Sequence, residues 1–234
     1  MADRSLRIVP PSDPLLERHL TAWLGAWPPP DGRVVAVASP RRDEPGWDGR
    51  IRPLVGVLTP TGGVLSVPPA HRSAVSAALD GCGVDGVREV DGPLAAALGR
   101  SGAPILHGVF RWSSAPAPFP DLGVWIPADD PSVPAWLHPF GGEVLVALDA
   151  GRYVAGVGIK RHDPTGGELA VVTEPAAQGR GLARRLVSQA ARRVLAGGAV
   201  ATYLHALSNL ASARVAEAAG FPDRGWQVLS LGPP

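Results

Sequence analysis

The segment VVTEPAAQGRGLARRLV, residues 171–187, decides the fold. An apolar run stops at Pro175, two glycines bracket an arginine at Gly179-Arg180-Gly181, and an arginine-rich helical stretch follows. A helix leaves its first N–H groups unpaired and carries a partial positive charge at that end. Glycine brings the backbone close to a ligand with no Cβ in the way, and it permits turns that aim several N–H groups at one anion. Arg180 adds a full charge. The segment therefore reads as a strand-to-helix junction built to hold a diphosphate. It is not a dinucleotide fingerprint, because Arg184 stands where the third glycine would fall, and no Gly-Lys-Ser/Thr follows to make a nucleotide-triphosphate loop.

Outward from this junction, the C-terminal half reads cleanly. Strands are expected at 143–148 and 153–159, joined by a turn at Asp149-Ala150-Gly151-Arg152, then a loop over 161–167 and a strand at 168–173. Leu182, Leu186, Ala190 and Val194 fall four apart and form one helical stripe, ended by Gly197-Gly198. A strand at 200–207, a short helix at 209–220 opened by Asn209 and closed by Gly220, and a last strand at 225–231 complete the half.

The N-terminal half carries a fainter version of this order. A helix starting at Pro14 precedes strands at 33–39 and 53–59, and Pro-Thr-Gly-Gly-x-Leu-x-Val occurs at Pro60 and again at Pro164, an offset of 104 residues. A helix follows each copy, which points to a tandem pseudo-repeat. The first copy has no glycine loop, since residues 70–75 read Ala-His-Arg-Ser-Ala-Val. The expected division is a degenerate N-terminal domain at 1–112, a linker at 113–123, and a binding domain at 124–234.

The whole chain limits the function classes. Its 234 residues suffice for one large or two small domains with a real core. A net charge of +1 gives no bulk argument for a nucleic-acid or membrane partner. Cys82 is the single cysteine, which fits a reducing compartment, and the first twenty residues show no apolar core of signal-peptide length. A cytoplasmic protein, monomer or homodimer, is expected. His19, His71, His107, His138, His162 and His205 neither pair one helical turn apart nor cluster with cysteine, so no metal site is expected.

Gln178-x-x-Gly181-x-Ala183 resembles the Gln/Arg-x-x-Gly-x-Gly/Ala signature of the GNAT superfamily of acetyl-CoA-dependent N-acetyltransferases. Asn209-x-x-Ser212 and Ala219-Gly220-Phe221 resemble the family's last-helix segment. The resemblance covers roughly residues 120–231 and implies an α/β (α+β) fold, a mixed central sheet flanked by helices. It implies that N–H groups of Gln178, Gly179, Arg180, Gly181, Leu182 and Ala183 hold the coenzyme A diphosphate. The pantetheine arm would run along Val171, Val172 and Thr173 as an added strand, with Asn209 and Ser212 on its other side.

Acetyl transfer to an amine needs a neutral nucleophile, a donor for the oxyanion and a route for the departing thiolate. Glu168 is the expected base, ten positions before Gln178 where the family more often has a glutamate eleven before. One step along a strand reverses the face unless a bulge absorbs it. His162 and Asp163 could act directly or through water, and His205 could face the cleft. Many relatives carry a tyrosine seven residues after the matching asparagine, where this chain has Ala216. Ser212 or Tyr203 then donates instead, or the thiolate leaves unassisted, or the domain binds acyl-CoA without turnover. The leading expectation is an N-acetyltransferase of a primary amine, with Glu168 and Ser212 as its catalytic pair; the alternative is a non-catalytic acyl-CoA-binding module.

Overall fold

The computed structural model describes residues 13–232. The first twelve residues, part of the stretch read for a leader peptide, lie outside it. The chain begins with α1 (Pro14–Leu24), whose N-terminus is capped by the Asp13 carboxylate, which accepts from the N–H of Leu15 at 2.9 Å. Leu16, His19, Leu20, Trp23 and Leu24 are its buried side chains, spaced as one helical face. Next come β1 (Val34–Ala38), β2 (Val55–Thr59), β3 (Gly62–Val67), α2 (Arg72–Ala78), α3 (Asp91–Ala97) and β4 (Ile105–Ser113). The second half holds β5 (Val124–Pro127), β6 (Glu143–Asp149), β7 (Arg152–Asp163), β8 (Gly166–Thr173), α4 (Leu182–Ala196), β9 (Val200–Ala206), α5 (Leu210–Ala218) and β10 (Gln227–Leu231). No helix among the described residues is long and apolar enough to cross a membrane.

The ten strands of the described residues join one mixed sheet in the order β1-β3-β2-β10-β4-β9-β8-β7-β6-β5. The two sequence halves are stitched together at its centre. The last strand, β10, runs antiparallel between β2 and β4, and β4 pairs antiparallel with β9. The segment after β4, read as a linker, is fixed to the C-terminal helices: Gln189 accepts from the N–H groups of Leu122 and Gly123, and the carbonyl of Ala117 accepts from Ser188 and Arg192.

The two Pro-Thr-Gly-Gly strands do not sit in repeated surroundings. Both β3 and β8 make an antiparallel hairpin with the preceding strand and a parallel pair on the other side. For β8 the hairpin partner β7 lies away from the sheet centre, whereas for β3 the partner β2 lies toward it. The parallel neighbour of β3 is the earlier strand β1, not a strand that follows its helix. The sequence echo thus marks a shared hairpin turn, and the strand order does not recur.

The expected loop at 161–167 is mostly strand. β7 continues to Asp163 and β8 starts at Gly166, leaving a tight turn in which Asp163 accepts from the Thr165 N–H at 2.8 Å and its hydroxyl at 2.6 Å. A register shift between Lys160 and Asp163 absorbs the irregularity. The polar residues here hid the strand because their partners come from α1: His19 Nδ1 lies 2.7 Å from Asp163 Oδ2, with both side chains buried.

One sheet face carries α4 over Leu145, Val157, Leu169 and Ala201. The other carries α1 over Val55, Val57, Phe110 and Val200. Two glycines of β7 admit the 3-10 turns at 135–140 to this second face, since a Cβ at Gly158 would lie 2.4 Å from the Phe140 ring.

Candidate active site

The site begins where a strand pair comes apart. β8 and β9 pair in parallel only at Gly166–Val200, Gly167–Ala201 and Glu168–Thr202. Beyond these residues the strands diverge, and the β8 edge from Leu169 to Thr173 faces a gap. Cavities open on both sides of it.

The first cavity, about 660 Å³, lies between β8, the start of α4 and α5. Val171, Val172 and Thr173 form its strand wall. Gln178, Gly179, Gly181, Leu182 and Ala183 close one end, and Tyr203, Asn209 and Ser212 stand opposite. The structure thus brings together every residue expected along the coenzyme path except the side chain of Arg180, which turns out to Asp149 at 2.9 Å. Arg184 and Arg214 line the cavity instead; Arg184 figured in the sequence only as the residue in place of a third glycine, and Arg214 is one among many arginines.

The loop conformation follows from its glycines. Gly179 and Gly181 have φ of +77° and +74°, a region that costs other residues strain. Among the described residues, the N–H groups of Gly179, Arg180 and Gly181 find no acceptor. A Cβ at Gly179 would meet nothing within 4 Å, so open space fronts the loop. Asn209 acts as a helix cap, its Oδ1 accepting from the Ser212 N–H at 3.0 Å. Ser212 Oγ is 2.8 Å from the hydroxyl of Tyr203, whose pKa burial pushes up. Ala216 is fully buried in the core.

The second cavity, about 440 Å³, opens toward α1 and contains Glu168. β8 is regular from Glu168 to Thr173, so no bulge there returns Glu168 to the face of Leu169 and Val171. Both carboxylate oxygens are engaged: Lys160 Nζ donates to Oε1, and His162 Nε2 donates to Oε2 at 2.8 Å. Burial alone would raise the Glu168 pKa, but the His162 hydrogen bond and the Lys160 and His162 charges outweigh it and hold the group at about 2. With Nε2 given to Glu168, Nδ1 is the remaining nitrogen of His162. The ring is fixed from the far side by Trp23, stacked at 4.7 Å.

Two other candidates are occupied elsewhere. Arg111 Nε donates to His205 Nε2 at 3.1 Å, and His205 Nδ1 donates to the Ala206 carbonyl at 2.9 Å, so neither nitrogen is free to take a proton. Asp163 is committed to His19 and Thr165. What sequence reasoning missed is the contribution of the N-terminal half. Trp23 and Trp47 line the Glu168 cavity, and Arg52 reaches it with its bidentate partner Asp48 at 2.6 and 2.7 Å. The signal was the stretch RRDEPGWDGRIR at 41–52, four arginines around one tryptophan.

Residues 106–221 match the sequence profile of the acetyltransferase (GNAT) family. The match starts inside β4, ahead of the segment read as a linker. No curated protein matches the chain. Among solved structures, a GNAT-family protein from Novosphingobium aromaticivorans is similar at 25% identity and a TM-score of 0.46, over 56% of this chain and 66% of its own. An acetyltransferase of the GNAT family from Colwellia psychrerythraea is similar at 13% identity and a TM-score of 0.45, over 58% and 59%. A tandem GNAT protein from the clavulanic acid biosynthesis pathway is similar at 16% identity and a TM-score of 0.37, over 60% and 58%. In each case the alignment spans less than two thirds of the neighbour.

Proposed function

Residues 106–221 of this chain are a GNAT-family acetyltransferase domain, and from that premise we propose that the protein transfers an acetyl group from acetyl-CoA to a primary amine. The observation that carries the proposal is the parting of β8 and β9 immediately after Glu168 and Thr202, with the glycine loop at one end of the gap and an ionised carboxylate at its apex.

The residues present fit coenzyme A. Gly179, Arg180 and Gly181 offer N–H groups without acceptors to a diphosphate, at a helix N-terminus whose dipole favours anions. Arg184 and Arg214 add charge. The edge of β8 at Val171–Thr173 offers backbone partners to a pantetheine chain. When bound, the thioester supplies an activated acetyl group.

The chain's own groups do the rest. His162 Nδ1 takes the proton of the incoming ammonium or of the attacking amine, while Glu168 holds the ring and stabilises its charge once protonated. Glu168 is then a positioning residue, because its oxygens are both occupied and its affinity for a proton is low. Tyr203, kept protonated by burial and bonded to Ser212, is the donor for the departing sulfur in place of the residue that Ala216 lacks. A general acid or base of this kind typically adds ~10²–10⁴-fold.

Incubation with acetyl-CoA and an amine panel, read by thiol release, tests the proposal. Amine-dependent release that falls at least tenfold in His162→Gln is expected. Tight coenzyme binding with no release from any amine would instead favour the acyl-CoA-binding module.

A further inference from the structure

We propose that the cavity beneath residues 40–52 binds an anionic group of the acceptor, so that the substrate is an amine carrying a carboxylate or phosphate. This rests on the acetyltransferase reading above. The cavity, about 250 Å³, is lined by Arg41, Arg42, Arg50, Arg52 and Arg161, with Glu44 as its one acidic side chain. Trp23, Trp47, Arg52 and His162 line both this cavity and the one that holds Glu168, so a single ligand can reach from one to the other.

Arg42 is the buried arginine of this lining. Its side chain is among the buried ones, at 6% exposure, and its Nη2 donates to the Trp23 carbonyl at 3.1 Å. Its Nε is enclosed by the protein, with no hydrogen-bond partner among the described residues. A buried guanidinium is costly when no opposite charge lies beside it, and an anion in the cavity offsets that cost. Among the described residues no carboxylate pairs with Arg42: Asp48 is taken by Arg52. Burial, followed by the charges of Arg41 and Arg52, lowers the Arg42 pKa to about 10. Arg41 ties this cluster to the reacting end, donating to the His162 carbonyl at 3.0 Å. The planar fork of arginine matches carboxylate and phosphate oxygens in pairs.

The test compares ω-amino carboxylates, ω-aminoalkyl phosphonates and n-alkylamines matched in chain length. The carboxylate or the phosphonate series should show a KM roughly tenfold or more below that of the alkylamines, and which series leads identifies the anion. Arg42→Gln should erase the difference while leaving coenzyme A affinity unchanged. Arg161→Gln, at an exposed position, should reduce it without risk to folding. Equal KM values for charged and neutral amines, or a preference that survives both substitutions, would overturn the proposal. If no amine is acetylated, the same compounds are titrated against tryptophan fluorescence, since Trp23 and Trp47 line the cavity. Anion-dependent quenching lost in Arg161→Gln supports the anion site even as the catalytic reading fails; no quenching by any anionic amine removes it.

Discussion

Glu168 and Thr202 are the last residues at which β8 and β9 pair, and the cleft begins with the next residue of each strand. A carboxylate at this point faces the α1 side, while the strand edge beyond it faces open space. The proposed reaction centre and the proposed cofactor groove are therefore set by one register, and changes at Glu168 should separate chemistry from binding.

Glu168→Gln should lower kcat by on the order of 10²-fold, with coenzyme A affinity unchanged. Its effect on stability follows from sign. The folded pKa of Glu168 is depressed to about 2, so its contribution is present above the unfolded value and is lost as pH falls toward 2. Thermal unfolding followed across this range should show a decline that is larger in wild type than in the variant, since Asp48 and Asp163, whose pKa values are also held down, lose stability in the same range in both proteins; near neutrality the variant should be less stable by a few kcal/mol, on the order of 1.4 per pKa unit.

Tyr203→Phe should reduce kcat by ~10²–10⁴-fold if its hydroxyl protonates the leaving sulfur. Ser212→Ala, which removes only the hydroxyl 2.8 Å away, should cost less. Steady-state thiol release measures both. Equal rates in Tyr203→Phe and wild type would mean that the thiolate leaves without help.

Gly166 is where the β7–β8 turn meets α1. A Cβ there would lie 2.0 Å from His19 Nδ1, inside a pair that is fully enclosed. Gly166→Ala should therefore destabilise the fold by about 1–3 kcal/mol, measurable by denaturant titration.

The placement of β10 between β2 and β4 makes the halves interdependent. Unfolding should be a single transition by circular dichroism and fluorescence. Residues 1–112 and 124–234, expressed separately, should each be aggregation-prone, because each leaves central strands with unpaired edges.

The sequence made the C-terminal order of strands and helices legible, because glycines mark its turns and Leu182, Leu186, Ala190 and Val194 give α4 one clear apolar stripe. That Val171–Thr173, the 178–183 loop, Asn209 and Ser212 share one cavity was legible for the same reason, since glycine spacing marks the strand-to-helix loop; the roles proposed for them are backbone roles. The acceptor side was not. It is assembled from Trp23, the 41–52 segment and the end of β7, which are distant in sequence and carry no periodic pattern. The echo of Pro-Thr-Gly-Gly misled about topology, since a hairpin turn fixes two strands but says nothing of the side on which the next strand joins. His162 could be named as a candidate, yet its selection over Asp163 and His205 depended on partners supplied by α1 and β4.

On the proposed function, the unpaired N–H groups just before α4 hold a diphosphate. Calorimetry with coenzyme A tests it most directly, using wild type, Gly179→Asn and Gly179→Asp. Asparagine tolerates the positive φ of this position and is neutral, whereas aspartate of the same size sets a negative charge against the phosphates. Micromolar binding by wild type, retained in large part by the asparagine variant and weakened at least tenfold further by the aspartate variant, is the predicted result. No binding by wild type, or equal affinity in all three proteins, would contradict it.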